Sequence, residues 1–316
     1  MDDMPSSVTR AKALMAELRL NLRFFNESDA RVRIIRTIRP RPLQPKTLYI
    51  LDSSFNPPSV AHLALAASAL LHPAATDSVP RRLLLLFSTH NADKAPSPAS
   101  FEQRLAMMTI VAEDLSHALR TGRCGEPGPN GLSQKSADHL SIDIGLTKEP
   151  YYTDKSAAIM QSSPPLYPSN PTHVHLVGYD TLIRFCNPKY YPNHNPPLSA
   201  LSAFFGPGHK LRVTQRPYDP SDASSQEFGT VEEQAAYLQS LKDGKLEKEG
   251  FERSWADQID MVPAAEGAGV SSTRVRKAAK EGDWELVGRL CTEGVAEFIK
   301  SQGLYAEDAS GKKMME

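Results

Sequence analysis

The chain is short of cysteine, of aromatic residues and of net charge. Its three cysteines, Cys124, Cys186 and Cys291, are scattered without pair spacing. That excludes a disulfide framework and fits a reducing compartment. A net charge of −1 with a pI near 6.8 excludes a protein that coats a polyanion with its whole surface. Any basic patch must be local. No run is long and apolar enough to span a bilayer, and the N-terminus lacks the apolar core of a secretory signal. Arg10, Arg19 and Arg23 are there, but Asp2, Asp3, Glu17, Glu27 and Asp29 count against a mitochondrial presequence. The expected location is the cytoplasm, with the nucleus as a second compartment. His90, His173 and His175 show no zinc spacing, and no carboxylate cluster points to a protein-built metal cage.

What is abundant is proline, with 25 residues, and apolar residues, at 40%. The second supports a sizeable core. A first amphipathic helix is expected over 8–25, with Ala11, Leu14, Met15, Leu18 and Leu22 on one side. The basic, Pro-rich stretch 31–45 reads as a connector. Strand patterns then recur near 49–51, 82–88, 140–146, 173–178, 210–215 and 259–262, separated by helical patterns. Strands alternating with helices predict an α/β fold, a parallel sheet wound on both sides. The main domain is placed at 46–303, with Pro-rich insertions near 121–137, 161–171 and 219–230 and a polar tail over 304–316. The first insertion is expected to be disordered. Ligands of such a sheet bind at the carboxyl ends of the strands, where the winding reverses.

One stretch organises the rest, TLYILDSSFNPPSVAH over 47–62. It reads as strand, small-residue turn and helix start. Free N–H groups and the helix dipole make such a start a phosphate site. Ser59 and His62, three apart, share one face of the first turn. A second stretch, VSSTRVR over 270–276, opens another helix. Ser271, Ser272 and Thr273 can cap it. Arg274, Arg276, Lys277 and Lys280 then put four cations on the first turns. The dipole alone would favour carboxylates there, so this excess of cations points to a bound polyanion.

Together the two stretches resemble the motifs G-x-F-x-P-x-[HT]-x-G-H and I-S-S-T-x-x-R of the nucleotidylyltransferase superfamily. Within it the match is to the nicotinamide mononucleotide adenylyltransferase family, in a fungal-type branch. The resemblance covers roughly 48–298, and implies a Rossmann-like fold with C-terminal helices. It implies transfer of adenylate from ATP to nicotinamide mononucleotide, giving NAD and pyrophosphate, with Mg²⁺ arriving on ATP. Other acceptors, nicotinic acid mononucleotide or a pantetheine phosphate, stay open, as does an ATP-binding interaction protein without transfer activity. No nucleic-acid or membrane partner is expected.

The resemblance assigns catalysis to His62, Lys94 and Ser59. Ser59 departs from the family's His or Thr; it can donate a hydrogen bond but carries no charge. ATP contacts are implied for Ser54, Phe55, His62, Gly178, Asp180, Ser271, Thr273 and Arg276. Contacts to the second substrate are implied for Ser53, Ser54, Lys94, Arg104 and Arg216. Tyr151, Tyr152 and Trp255 are the candidates for stacking on the pyridine ring.

Overall fold

The computed structural model describes residues 7–42, 44–89, 98–216, 228–264 and 269–307, with side chains from residue 12 onward. Seven strands form one sheet: β1 (Val32–Ile38), β2 (Thr47–Asp52), β3 (Arg81–Ser88), β4 (Ile142–Thr147), β5 (Thr172–Gly178), β6 (Lys210–Thr214) and β7 (Ile259–Val262). Their spatial order is β1-β4-β3-β2-β5-β6-β7. All pairs are parallel except β1 with β4. Without β1 this is the doubly wound order of a dinucleotide-binding sheet. The winding reverses between β2 and β5, so the crevice lies where 47–62 was expected to present its turn.

Alternation along β2 builds both layers. Tyr49 and Leu51 join the core beneath α2 (Val60–Leu71) and α3 (Phe101–Arg120). Leu48 and Ile50 face the opposite layer, with Ala158 and Ile159 of α5 (Tyr152–Met160). The N-terminal helix α1 (Ser7–Asn26) packs Leu18 and Phe25 into the first core. A second core, around Phe204, Phe205 and Trp255, supports β5 to β7.

Three expectations change. The stretch 31–45 contains β1, an antiparallel edge strand, and is not only a connector. A register shift between Ile34 and Arg36 breaks its alternation, and arginines blunt the exposed edge. The insertion at 121–137 is ordered. Its Gly128 and Leu132 amides donate to Leu71 and Leu70, covering open carbonyls at the end of α2, and a short helix α4 (Gln134–Ala137) follows. A side chain at Gly131 would meet the Leu71 carbonyl oxygen at 2.0 Å, so this return requires glycine. The tail also begins later than 304, because Leu304 and Tyr305 are buried. The expected C-terminal helices are three. These follow α6 (Tyr179–Phe185), α7 (Ser202–Phe205) and α8 (Val231–Lys242), and are α9 (Ser272–Glu281), α10 (Trp284–Leu290) and α11 (Glu293–Ser301). Gly282, at φ 73°, ends α9 in the left-handed conformation that favours glycine.

Candidate active site

The turn after β2 climbs off the sheet and enters α2. Phe55 sits at φ 45°, a left-handed conformation that costs a non-glycine residue on the order of 1–2 kcal/mol. Its buried ring holds the turn down from below and packs 5.2 Å from the His62 ring. Phe55 can therefore offer a ligand only its backbone. The Ser53 amide is already spent on the Leu86 carbonyl at 3.3 Å. Ser54 is exposed, and its amide has no partner among the described residues.

His62 is set from both sides. The Ser59 amide donates to Nδ1 at 3.0 Å, so the ring proton belongs on Nε2. Nε2 donates to Ser53 Oγ at 2.9 Å. Burial pushes the imidazole down to about 4, against a smaller opposing effect of the Ser59 bond. At neutral pH His62 is an uncharged N–H donor. The Ser59 hydroxyl is 1% exposed and lies 3.3 Å from the Val270 carbonyl and 3.1 Å from Nδ1. It braces the turn against the second motif.

That second motif is clasped directly onto the first. Arg276 donates to the Asn56 carbonyl at 2.7 Å and to Thr273 Oγ1 at 2.9 Å. Ser272 Oγ donates to the Pro57 carbonyl at 2.8 Å, and Cys291 Sγ reaches the Pro58 carbonyl at 3.3 Å. Tyr305 donates from its hydroxyl to Asn56 Oδ1 at 3.0 Å. Residues 56–59 are thus held by partners more than 200 positions away, and the two motifs form one surface. Ser271 caps α9 by accepting from the Arg274 amide at 3.3 Å. Thr273 and Arg274 are exposed beside it. Of the four cations expected on α9, Arg276 turns inward and Lys277 faces Glu281 at 4.0 Å.

Arg104 is buried, donating to the Ala99 carbonyl at 3.0 Å with its guanidinium 5.5 Å from the Phe101 ring. Burial pushes it down to about 10; Tyr305 opposes this and Arg276 adds to it. Arg104 thus stands behind the clasp, close to Tyr305 and Arg276. Gly178 ends β5 and caps α6, where an added side chain would meet Asp180 Oδ1 at 2.7 Å. Asp180 pairs with Arg184 one turn on. Arg216 lies past the end of β6 with its guanidinium 5.1 Å from the Phe228 ring. Lys94 lies outside the described residues. Trp255 stacks on Phe205 at 5.4 Å within the second core, which removes it from the stacking candidates.

No family model matches the chain. Over 259 residues it is 30% identical to a Schizosaccharomyces pombe protein described as "Putative nicotinamide mononucleotide adenylyltransferase", covering 81% of this chain and 84% of that one. The chain belongs to the nicotinamide mononucleotide adenylyltransferase family. Among solved structures, Plasmodium falciparum nicotinic acid mononucleotide adenylyltransferase complexed with NaAD is 13% identical at a TM-score of 0.47, over 82% of this chain and 97% of that one. Thermotoga maritima TmcAL bound with alpha-thio ATP is 13% identical at a TM-score of 0.35, over 81% and 55%.

For a member of this adenylyltransferase family, sequence reasoning missed two groups at the crevice. One is Tyr305, dismissed with the tail. The other is an ion pair between Asp52, the last residue of β2, and Lys155 of α5, with side chains 10% and 4% exposed. A signal was present for the pair. Asp52 continues the apolar series Leu48, Ile50 on one strand face, and Lys155 lies among buried residues of α5. Buried charges of this kind come in pairs.

Proposed function

We propose that the protein transfers adenylate from ATP to nicotinamide mononucleotide, giving NAD and pyrophosphate. A phosphate oxygen of the mononucleotide attacks the α-phosphorus of ATP, the bond from that phosphorus to the bridging oxygen breaks, and pyrophosphate leaves in line. Such a reaction asks the protein to hold two anions together and to meet the charge spread over the phosphoryl oxygens. The observation that carries the reading is the clasp of 53–62 onto 270–276, which gathers a turn amide, a neutral imidazole N–H and a helix start at one point of the sheet edge.

In this reading the Ser54 amide and the start of α2 receive phosphate oxygens. His62 donates a hydrogen bond from Nε2–H to the triphosphate in place of Ser53 Oγ. Ser271, Thr273 and the start of α9 hold the β- and γ-phosphates. Arg276 adds charge from behind and fixes Thr273. Ser59 acts by bracing, since its hydroxyl is sealed. Gly178 allows close approach of a nucleoside, and Asp180 accepts from a ribose hydroxyl. Lys94 bridges the reacting phosphates, Arg104 and Arg216 support the second substrate, and Tyr151 or Tyr152 stacks on its ring.

Mg²⁺ enters as part of the ATP substrate, held by phosphate oxygens and water. Among the described residues no group of three His, Cys, Asp or Glu could hold a metal ion, so the chain's own contribution to charge is its cations and N–H donors. No described helix is long and apolar enough to cross a membrane. Purified protein with ATP, Mg²⁺ and each acceptor in turn tests the reading by product mass. NAD from nicotinamide mononucleotide is expected; ATP binding without pyrophosphate release for any acceptor overturns it.

A further inference from the structure

We propose that Lys155 is a positioning residue of the polyphosphate site, which cancels the charge of Asp52 so that an anion can lie on the neighbouring turn. The proposal rests on the reading of that turn as a phosphate site. Asp52 is the last residue of the central strand β2, and the chain passes from it into Ser53, Ser54 and Phe55. A bare carboxylate there would face the same edge as the triphosphate. Asp180, in the first turn of the helix after β5, is likewise matched by a cation, Arg184.

The pair is more than packing. Leu48 and Ile50 precede Asp52 on the same strand face, and Ala158 and Ile159 follow Lys155 on α5. An apolar pair would continue that layer, and apolar replacement of a buried ion pair is often neutral or stabilising. On β2 the charge stands at the end where ligands bind; the layer's other buried pair, Arg82 with Asp143, lies at the opposite end of β3 and β4 and is bonded to Tyr167. Helix α5 is also pinned in register. Ser156 Oγ lies 2.8 Å from His175 Nε2 and 3.1 Å from His173 Nδ1, both on β5. This fixes the residue before it, Lys155, opposite Asp52. The ammonium is further covered by the Tyr152 ring at 5.2 Å. It acts through Asp52 and not by touching the anion.

Charge and clamp make opposite demands on double replacement. If Lys155 serves as a neutraliser, Lys155→Met exposes the carboxylate and weakens anion binding by on the order of tenfold or more. Adding Asp52→Asn to it then restores binding, Asp52→Asn alone binds at least as tightly as the wild type, and Lys155→Arg stays near it. If the pair is only a clamp, Asp52→Asn, Lys155→Met and the double variant all lose affinity in step with stability.

The measurement is calorimetric binding of Mg²⁺–ATP and of inorganic tripolyphosphate, with urea unfolding of each variant alongside. Should Lys155→Met not fold, Asp52→Asn and the double variant still decide. Recovery in the double variant supports the proposal. A double variant as weak as Lys155→Met, or a loss in Asp52→Asn, overturns it. A wild type that binds tripolyphosphate but releases no pyrophosphate with any acceptor overturns adenylyl transfer alone. A wild type that binds neither probe overturns both.

Discussion

Lowering the pH from 7 toward 5 should unfold this protein, because several histidines are folded away neutral. Burial pushes His62 down to about 4, His209 down to about 4, and His173 down to about 3, the last with help from His209. His175 is driven well below its ordinary value by burial, then by His173, His209 and Lys155. The cluster is tight: the rings of His173 and His209 stack at 4.2 Å, and His173 Nε2 and His175 Nδ1 are buried with no hydrogen-bond partner among the described residues. In the unfolded chain each histidine titrates near 6.5. The folded values lie below that, so unfolding takes up protons, and stability falls as pH falls from 6.5 toward 4. Above 6.5 the effect vanishes. Each such histidine costs about 1.4 kcal/mol per pH unit inside the window. Several acting together over one to two units reach roughly 5–8 kcal/mol, comparable to the whole stability of a domain. Burial raises Asp143, Asp114, Glu113 and Asp154, whose earlier protonation in the fold offsets part of the loss. The net slope should be about 2–4 kcal/mol per pH unit between pH 6 and 5. Urea titrations at several pH values read it directly, and His209→Gln should lower it by about one proton. Stability that stays level or rises from pH 7 to 5 would refute the assignment of neutral buried rings.

Three substitutions probe the site. His62→Ala should leave the fold intact and cut turnover by roughly 10²–10³-fold, as loss of a preorganised donor does; an unchanged rate removes His62 from the chemistry. Arg276→Met should destabilise by about 2–3 kcal/mol, since a charge-assisted bond to Asn56 is lost. It should also raise the ATP requirement, and a variant with normal stability and normal ATP KM would contradict the clasp. Tyr305→Phe should cost about 1 kcal/mol by removing the bond from its hydroxyl to Asn56 Oδ1, read by thermal unfolding; no change in Tm would show that the hydroxyl is idle.

Much of the fold was legible because its strands are apolar runs of the right length with helices between. β7 was placed at 259–262, and β3 and β5 within a residue. The strand that escaped, β1, carries arginines and a register shift, so neither its polarity nor its period reads as a strand. The ordered insertion escaped because its glycines and prolines signal a loop in either case. Only the tertiary contact to Leu70 and Leu71 tells an ordered loop from a disordered one. The site divides in the same way. Spacing put Ser59 beside His62, and the resemblance to the family's two motifs brought Thr273 and Arg276 to them. Neither could say that Ser59 would be sealed, that Phe55 would point into the core, or that Arg276 would grip a carbonyl. Those facts depend on the path of the turn through a left-handed Phe55. Tyr305 was invisible for a related reason, and the Asp52–Lys155 pair left only the break in the apolar series of β2 as a trace: each matters through a partner at least 100 residues away.

A crystal structure with a non-transferable ATP analogue and Mg²⁺ is the most direct test of the joined motifs. The triphosphate should lie within hydrogen-bond reach of both His62 Nε2 and Thr273 Oγ1, across the turn that Arg276 holds. A triphosphate bound elsewhere on the sheet edge, touching one segment and not the other, would contradict it.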